Sequence, residues 1–389
     1  MTKRNPSRIV IASNTAWNIV NFRGALIRAL IKAGYDVVAV SPVDKYAERI
    51  GEFGARFVPL SIDNMGTHPL KDLLLFSRLL VILIRERPAA FLGYTVKPNV
   101  YGGLAARLLG IPAINNVAGL GTAFIRENMI TRVVEVLYRL GFAKASKVFF
   151  QNADDRILFV SRGLVQKEVT EILPGSGVDT ARFIPSALAN PGSRPFRFLL
   201  LGRLLWDKGI GEYVQAARCI RAKRRDVEFQ ILGFLDVPNR TAISRTQMYT
   251  WEHEGAIRYL GDTDDVQPFI AQADCIVLPS YREGTPRALL EAASMGKPVV
   301  TTDSAGCRDV VKDGVSGYLC RPHDAADLAE KMEKILSLSL DQRIDMGSEG
   351  RNKILTQFDE RIVITKYLDT LKLMITNDSL TGCSSSGNA

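Results

Sequence analysis

The chain has 389 residues, of which 47% are hydrophobic and 23% charged, and a net charge of +9. That is ordinary globular composition; it excludes a disordered or fibrous chain and suggests two domains or three. No stretch reaches the ~18 unbroken apolar residues of a membrane-spanning helix, since the greasiest, 73–84, is broken by Ser77 and Arg78. The basic excess lies wholly in the first half: residues 1–190 carry 24 Lys/Arg and 14 Asp/Glu, residues 191–389 carry 26 and 27. Such asymmetry points to an anionic partner, either a phosphorylated ligand or an acidic membrane surface, the alternative being a solvated, soluble surface. No basic run with interleaved aromatics supports nucleic acid. The five cysteines form no C-x-x-C pair and the three histidines give no zinc spacing, so a reduced, cytoplasmic setting is expected. The first residues run straight into a strand-like segment without a signal-peptide pattern.

In chain order, the pattern predicts a strand at 9–13, a helix over 22–33 ending at Gly34, and strands at 37–40 and 56–60. A helix over 70–87 and a strand at 90–93 follow. Then come a helix over 99–109, a strand at 113–117, a helix over 129–143 and a strand at 148–151. Continuous apolar strands alternating with helices predict a parallel sheet covered on both faces. Residues 184–195, with Pro185, Pro191, Gly192 and Pro195, read as a linker. The alternation restarts with a strand at 196–202 and a helix over 211–223, and further strands are expected at 228–233, 257–261, 275–279 and 298–302. The fold expected is therefore α/β, two doubly wound Rossmann-like domains facing each other across a cleft, with ligands beyond the carboxyl ends of the strands. The boundaries expected are 1–185 for the first domain, 186–195 for the linker and 196–358 for the second domain. A C-terminal helix over 359–376 is expected to pack back on the first domain, with a tail of low apolar content, 377–389, expected to be disordered.

Chemistry-bearing residues concentrate in the second half. After the strand ending at Pro279 comes a loop with Glu283 and Gly284, then Pro286, suited to a first helical turn. Glu283 stands just before that helix, where free N–H groups favour an anion. Glu291 stands inside it among alanines and leucines, where an ionised carboxylate needs a polar partner. A ribose diol would serve; alternatively Glu283 is a cap and Glu291 an exposed face residue. At LGRLLWDKG, a strand ending in Gly202 puts Arg203 and then Lys208 at the same end of the sheet, a pair suited to a diphosphate or to a solvated loop. In the first half, Gly119 and Gly121 let backbone approach a ligand closely, or alternatively pack against the sheet, and Lys97 can pair with a phosphate or sugar hydroxyl.

The run E-G-x-P-x-x-L-L-E-A, followed by G-K-P-V-V-T-T-D and D-G-x-x-G, resembles the family 4 retaining glycosyltransferases of the GT-B fold, and the resemblance extends from Ile9 to about Leu371. It implies that Glu283 lies near the donor sugar and phosphates, that the backbone of Gly284 and Thr285 cradles them, that Glu291 meets the ribose, and that Gly202, Arg203 and Lys208 hold the donor diphosphate. The segments YTVKPNVYGGLAARLLGIPAINNVAGLGTAF, FFQNADD and GSGVDTARF resemble a bacterial branch that extends undecaprenyl-diphosphate-linked glycans. That implies acceptor-side roles for Lys97, Asn116, Gly119 and Gly121. The implied partners are a nucleotide sugar, UDP-linked by family frequency, and a polyprenyl-diphosphate saccharide; with the basic first half they suggest peripheral contact with an anionic cytoplasmic membrane face. No metal or other cofactor is implied: Asp262-Thr263-Asp264 spells D-x-D in a loop the family uses beside the base, and Asp154-Asp155 reads as a helix N-cap pair. Many members carry a histidine near the donor sugar; here Asn115, Asn116 and Val117 occupy that loop and His68, His253 and His323 fit the role poorly. A nucleotide-sugar 2-epimerase and a non-catalytic nucleotide-sugar binder are the alternatives.

Overall fold

The computed structural model describes residues 5–63, 68–120, 129–185, 194–237 and 239–383. The chain divides into two compact units. One runs to Ser176 and takes in the chain from Arg361 onward; the other spans Gly177–Glu360.

The first unit begins with β1 (Asn5–Ala12), α1 (Ala16–Lys32), β2 (Asp36–Ser41), β3 (Arg56–Pro59), α2 (Pro69–Glu86) and β4 (Pro88–Tyr94). It continues with α3 (Gly103–Leu108), β5 (Ala113–Val117), α4 (Met129–Phe142), β6 (Lys147–Phe150), α5 (Ala153–Ser161) and β7 (Thr170–Ile172). Its seven strands lie parallel in the order β3-β2-β1-β4-β5-β6-β7. The order reverses between β1 and β4. One sheet face is covered by α2 and α3, whose Leu75, Leu79, Leu83, Ala105 and Ala106 bury against Val10, Val38 and Phe91. The other is covered by α1 and the last helix of the chain.

The second unit holds β8 (Phe196–Leu201), α6 (Ile210–Arg221), β9 (Val227–Leu232), α7 (Arg245–His253), β10 (Arg258–Tyr259), α8 (Gln267–Gln272) and β11 (Cys275–Leu278). Then follow α9 (Arg287–Ser294), β12 (Val299–Thr302), α10 (Cys307–Val310), β13 (Gly317–Cys320), α11 (Ala325–Ser337) and α12 (Leu340–Gln357). Its sheet is parallel, in the order β10-β9-β8-β11-β12-β13. The last helix, α13 (Glu360–Cys383), belongs to the first unit. There Tyr367 is fully buried, edge-on to Phe149 at 5.0 Å.

Four expectations change. The first helix begins at Ala16 rather than 22, because Thr15 caps it by accepting from the Asn18 N–H and Asp44 accepts from the Trp17 N–H, both at 3.0 Å. The helix expected over 99–109 opens with a single π turn, Pro98–Gly102, before α3. The first domain closes at 176, not 185: the Val178 N–H donates to the Phe358 carbonyl at 2.9 Å, and the Phe183 carbonyl accepts from Ser294 Oγ at 2.7 Å, tying this stretch to the second unit. Finally, α13 continues through 377–383, where disorder was expected; no proline interrupts it and Gly382 is its first glycine. Residues 186–193 of the expected linker and 384–389 of the tail lie outside the described residues.

Candidate active site

The site is built where β8, β11 and β12 end in the second unit. β8 is an apolar run, FRFLLL, whose last four residues are buried. Gly202 follows, and Arg203 emerges exposed, its guanidinium making no hydrogen bond or ion pair to any described residue. Leu204 and Leu205 turn back into the core, and a short 3₁₀ turn, Trp206–Lys208, delivers the lysine. That turn is pinned from two sides. The Trp206 N–H donates to the Thr241 carbonyl at 2.8 Å, and the Tyr281 N–H to the Asp207 carbonyl at 3.0 Å. Gly209 closes it at φ 71°, and a Cβ there would stand 2.0 Å from the Pro279 carbonyl oxygen. Only glycine allows the β8 and β11 loops this approach.

Across that contact, Lys208 Nζ bonds Glu283 Oε1 in a largely buried ion pair. Glu283 is fixed by its own backbone, whose N–H donates to the Ala305 carbonyl at 3.0 Å. Gly306, at φ 80°, packs so tightly that a Cβ would lie 2.2 Å from the Gly284 carbonyl oxygen. Beneath the loop, burial and then the Glu283 charge push the Cys307 thiol up to about 11, so it is an unreactive wall residue.

Pro286 is the N-cap of α9. Glu291, 8% exposed, is not a surface residue. Burial raises its pKa, opposed by Arg287, whose Nε donates to Oε1 at 2.8 Å across one helical turn. Arg203, Lys208, Glu283, Gly284 and Thr285 thus gather on the strand-end loops, and Glu291 sits in the helix that leaves them. The arrangement offers one unengaged guanidinium, one ammonium held by a carboxylate, and a buried carboxylate. A diphosphate could take both cations with charge-assisted bonds.

The remaining sequence candidates are placed differently. Lys97 is engaged, its Nζ bonding Asp72 Oδ1 of α2 at 2.6 Å. Asn116 is fully buried, donating to Tyr367 Oη at 3.0 Å and accepting from Gln151 Nε2 at 3.3 Å. Both therefore have internal structural partners rather than facing an open loop. Gly119 has φ 121°, and Gly121 lies outside the described residues. The cap of α5 is Asn152, which accepts from the Asp155 N–H at 2.8 Å; Asp154 and Asp155 form the first turn. Asp262–Asp264 lies in a turn closed by Thr263 and Asp265, and among the described residues no group of three His, Cys, Asp or Glu stands so as to hold a metal ion. Of the histidines, His323 stacks on Tyr281 with centroids 3.6 Å apart. Sequence reasoning missed Tyr281, whose Oη donates to Glu212 at 2.7 Å and which braces the lysine turn; its position two residues before Glu283 was the available signal.

Two family models match the chain: a glycosyl transferase 4-like model over residues 8–152 and a glycosyl transferases group 1 model over residues 195–338. A Campylobacter jejuni protein, N,N'-diacetylbacillosaminyl-diphospho-undecaprenol alpha-1,3-N-acetylgalactosaminyltransferase, is 27% identical over 95% of this chain and 100% of its own. An Escherichia coli UDP-Gal:alpha-D-GlcNAc-diphosphoundecaprenol alpha-1,3-galactosyltransferase is 25% identical over 82% of each chain. Among solved structures, a Rickettsia africae glycosyltransferase superposes with a TM-score of 0.75 at 17% identity, covering 96% of this chain and 100% of that one. Anabaena HepE in complex with UDP and glucose gives a TM-score of 0.75 at 17% identity, covering 94% and 99%. With a glycosyltransferase model on each unit and two parallel Rossmann-like sheets of the GT-B kind, the chain belongs to the group 1, family 4-like glycosyltransferases.

Proposed function

We propose that this enzyme is a retaining glycosyltransferase that moves a hexose or N-acetylhexosamine from a nucleotide sugar, UDP-linked, to a saccharide carried on polyprenyl diphosphate, in the synthesis of a glycan, capsule or O-antigen. The observation that carries the chemistry is the unengaged Arg203 guanidinium on the same β8 loop as Lys208, with Lys208 paired to Glu283 of the β11 loop. The acceptor class is supported by the full-length likeness to a relative named for a diphospho-undecaprenol substrate. Binding the donor places its diphosphate on Arg203 and Lys208. As the sugar–phosphate bond breaks, charge accumulates on the departing oxygen, and those two cations stabilise it. They supply the neutralisation for which other transferases recruit a metal, so the reaction is proposed to be metal-independent. Glu283, released from Lys208 by the incoming phosphates, stays beside the transferring sugar, and Glu291 accepts from the ribose hydroxyls. The departing phosphate deprotonates the acceptor hydroxyl on the same face, which retains configuration.

A peripheral place at an anionic membrane follows from this reading. No helix among the described residues is long and apolar enough to cross a bilayer. α4 exposes Val133, Val136 and Leu140 beside Arg132 and Arg139. α2 adds an exposed stripe of Leu70, Leu73, Leu74, Val81 and Ile84 flanked by Lys71, Arg78 and Arg85, a pattern suited to the lipid interface.

The test is a release assay with a panel of UDP- and GDP-sugars and an undecaprenyl-diphosphate saccharide. Turnover of a UDP-sugar with the anomeric configuration kept in the product is the expected result. A free epimerised sugar, or no turnover with any donor, would overturn the reading.

A further inference from the structure

The carboxyl ends of the central strands in the first unit carry a buried polar layer that the donor chemistry does not use. The register pairs Ala12 with Gly93, Tyr94 with Asn116, and Asn116 with Phe149. Ser13 therefore comes level with Tyr94 and Asn116, in a row along the ends of β1, β4 and β5. This row crosses the point between β1 and β4 where the strand order reverses, where doubly wound sheets take their ligands. All three side chains are fully buried.

Above the row lies Arg23 of α1, 3% exposed, its guanidinium carbon 3.9 Å from the centroid of the Tyr94 ring. Its Nε has no hydrogen-bond partner, and Arg23 makes no ion pair with any described residue. Ser13 Oγ is likewise buried without a partner. Asn116, by contrast, is accounted for by its bonds to Tyr367 Oη and Gln151. The α1 N-terminus is also satisfied, by Thr15 and Asp44, so the helix end is not the feature at issue. What remains is a buried positive charge with no carboxylate paired to it among the described residues, and an orphan hydroxyl at the level of the ring it covers. Burying such groups is costly unless an opposite charge and hydrogen bonds reach them. The face of Tyr94 offsets part of that cost but accepts no hydrogen bond from Nε.

We propose that Arg23 and Ser13 form an anion site for a phosphate ester at the β1/β4 switch point of the first unit. The ligand class is a phosphate or diphosphate. The transferase reading offers two sources, the lipid diphosphate of the acceptor and the diphosphate of the nucleotide sugar, and only this choice rests on that reading. An oxyanion supplies the missing counter-charge to the guanidinium and accepts from the Ser13 hydroxyl. The strained backbone of Thr95, at φ 66°, marks the adjoining β4 loop as a shaped segment rather than a regular turn.

The test uses inorganic pyrophosphate and the full-length enzyme, every form compared in the thermal assay, wild type included, carrying Arg203→Ala so that the second unit's cation pair is disabled rather than filled by UDP, which would compete if the nucleotide sugar is the source. Pyrophosphate should raise the thermal midpoint of the wild type, fail to raise that of Arg23→Gln, and give part of the rise with Arg23→Lys. Ser13→Ala, which removes the orphan hydroxyl without touching the charge, should weaken the response severalfold and covers the case in which Arg23→Gln does not fold. This arm needs no acceptor and no turnover, so it stands even if the lipid-linked reading fails. In steady-state assays, a tenfold or larger rise in KM for the polyprenyl-diphosphate substrate, with donor KM unchanged, assigns the phosphate to the acceptor; a rise in donor KM instead assigns it to the nucleotide sugar. Equal pyrophosphate responses in wild type and Arg23→Gln, or no response in the wild type, overturns the site and leaves Arg23 as a structural pin on Tyr94.

Discussion

In the second unit the loops beyond the strand ends meet through backbone. Gly209 lies against Pro279 and Gly306 against Gly284, leaving charged side chains to stand beyond them. In the first unit the corresponding ends are filled with side chains: Tyr94, Asn116 and Gln151 are buried there, with Tyr367 of α13 bonded to Asn116. One architecture thus yields two kinds of strand end. The glycine-built end can let a ligand touch main-chain groups. The filled end fastens the last helix of the chain to the sheet that begins it, and holds one buried charge in reserve.

The sharpest way to break this comparison is to add a methyl group where backbone meets backbone. Gly306→Ala combines a positive φ with a Cβ 2.2 Å from a carbonyl oxygen, a conflict that costs about 1–3 kcal/mol from the backbone conformation alone. This substitution should bring the largest loss of any: a lower thermal midpoint together with loss of transfer, because the Glu283–Gly284 loop must move. Wild-type turnover in the Gly306→Ala enzyme would mean that the loop is not backbone-positioned.

Next in size are the two cations. Each gives up a charge-assisted contact of ~1.5–3 kcal/mol to the donor, so Arg203→Ala and Lys208→Ala should each lower kcat/KM by at least tenfold. Their stabilities should differ. The Arg203 guanidinium is exposed and unengaged, so its removal leaves the melting temperature unchanged, whereas Lys208→Ala removes the cation paired with the largely buried Glu283 carboxylate and lowers it. Equal kinetics for both variants and the wild type would remove the donor assignment.

Glu291 tests the link between burial and binding. Its folded pKa is raised by burial. The protonated form is therefore the one folding favours, and the stability this provides is lost as pH rises through the raised pKa. Glu291→Gln should flatten that part of the stability profile and leave the protein no less stable at pH 8. It should also weaken UDP binding about tenfold, because an amide accepts more weakly from the ribose. Unchanged UDP affinity by calorimetry would break the ribose contact.

How much of this was legible in the sequence follows from how far apart the cooperating residues lie. Arg203, Lys208, Glu283 and Glu291 each sit on a strand–loop–helix segment a few residues long, so local pattern placed them at strand ends. The pairing of Lys208 with Glu283 spans 75 positions, and the bond from Asn116 to Tyr367 spans 251. No local periodicity encodes either. The same reason explains why Lys97 and Asn116, which read as loop residues, are engaged with α2 and α13, and why residues 177–185 belong to the second unit. The early start of α1 is hidden because Trp17, Asn18 and Asn21 are not helix-periodic, although Thr15 is a strong cap.

The smallest effect expected is at the membrane, where the two arginines of α4 separate a free charge from an occupied one. Each basic residue near an anionic surface contributes about 1 kcal/mol, screened by salt. Arg132 is exposed and makes no ion pair with any described residue. Arg139 is exposed too, but its guanidinium donates to the carbonyls of Gly163 and Arg162, at 3.2 and 3.4 Å, near the end of α5. Holding those bonds fixes its charge against the protein, and moving it toward a headgroup would break them. Arg132→Gln should therefore weaken sedimentation with anionic liposomes about fivefold, and Arg139→Gln by less, with both differences vanishing in high salt. Leu73→Ser on α2 should reduce binding in high salt as well, since apolar insertion is not screened. Equal binding of wild type to neutral and anionic vesicles, or none to either, would show that the basic excess of the first half serves a ligand rather than a membrane surface.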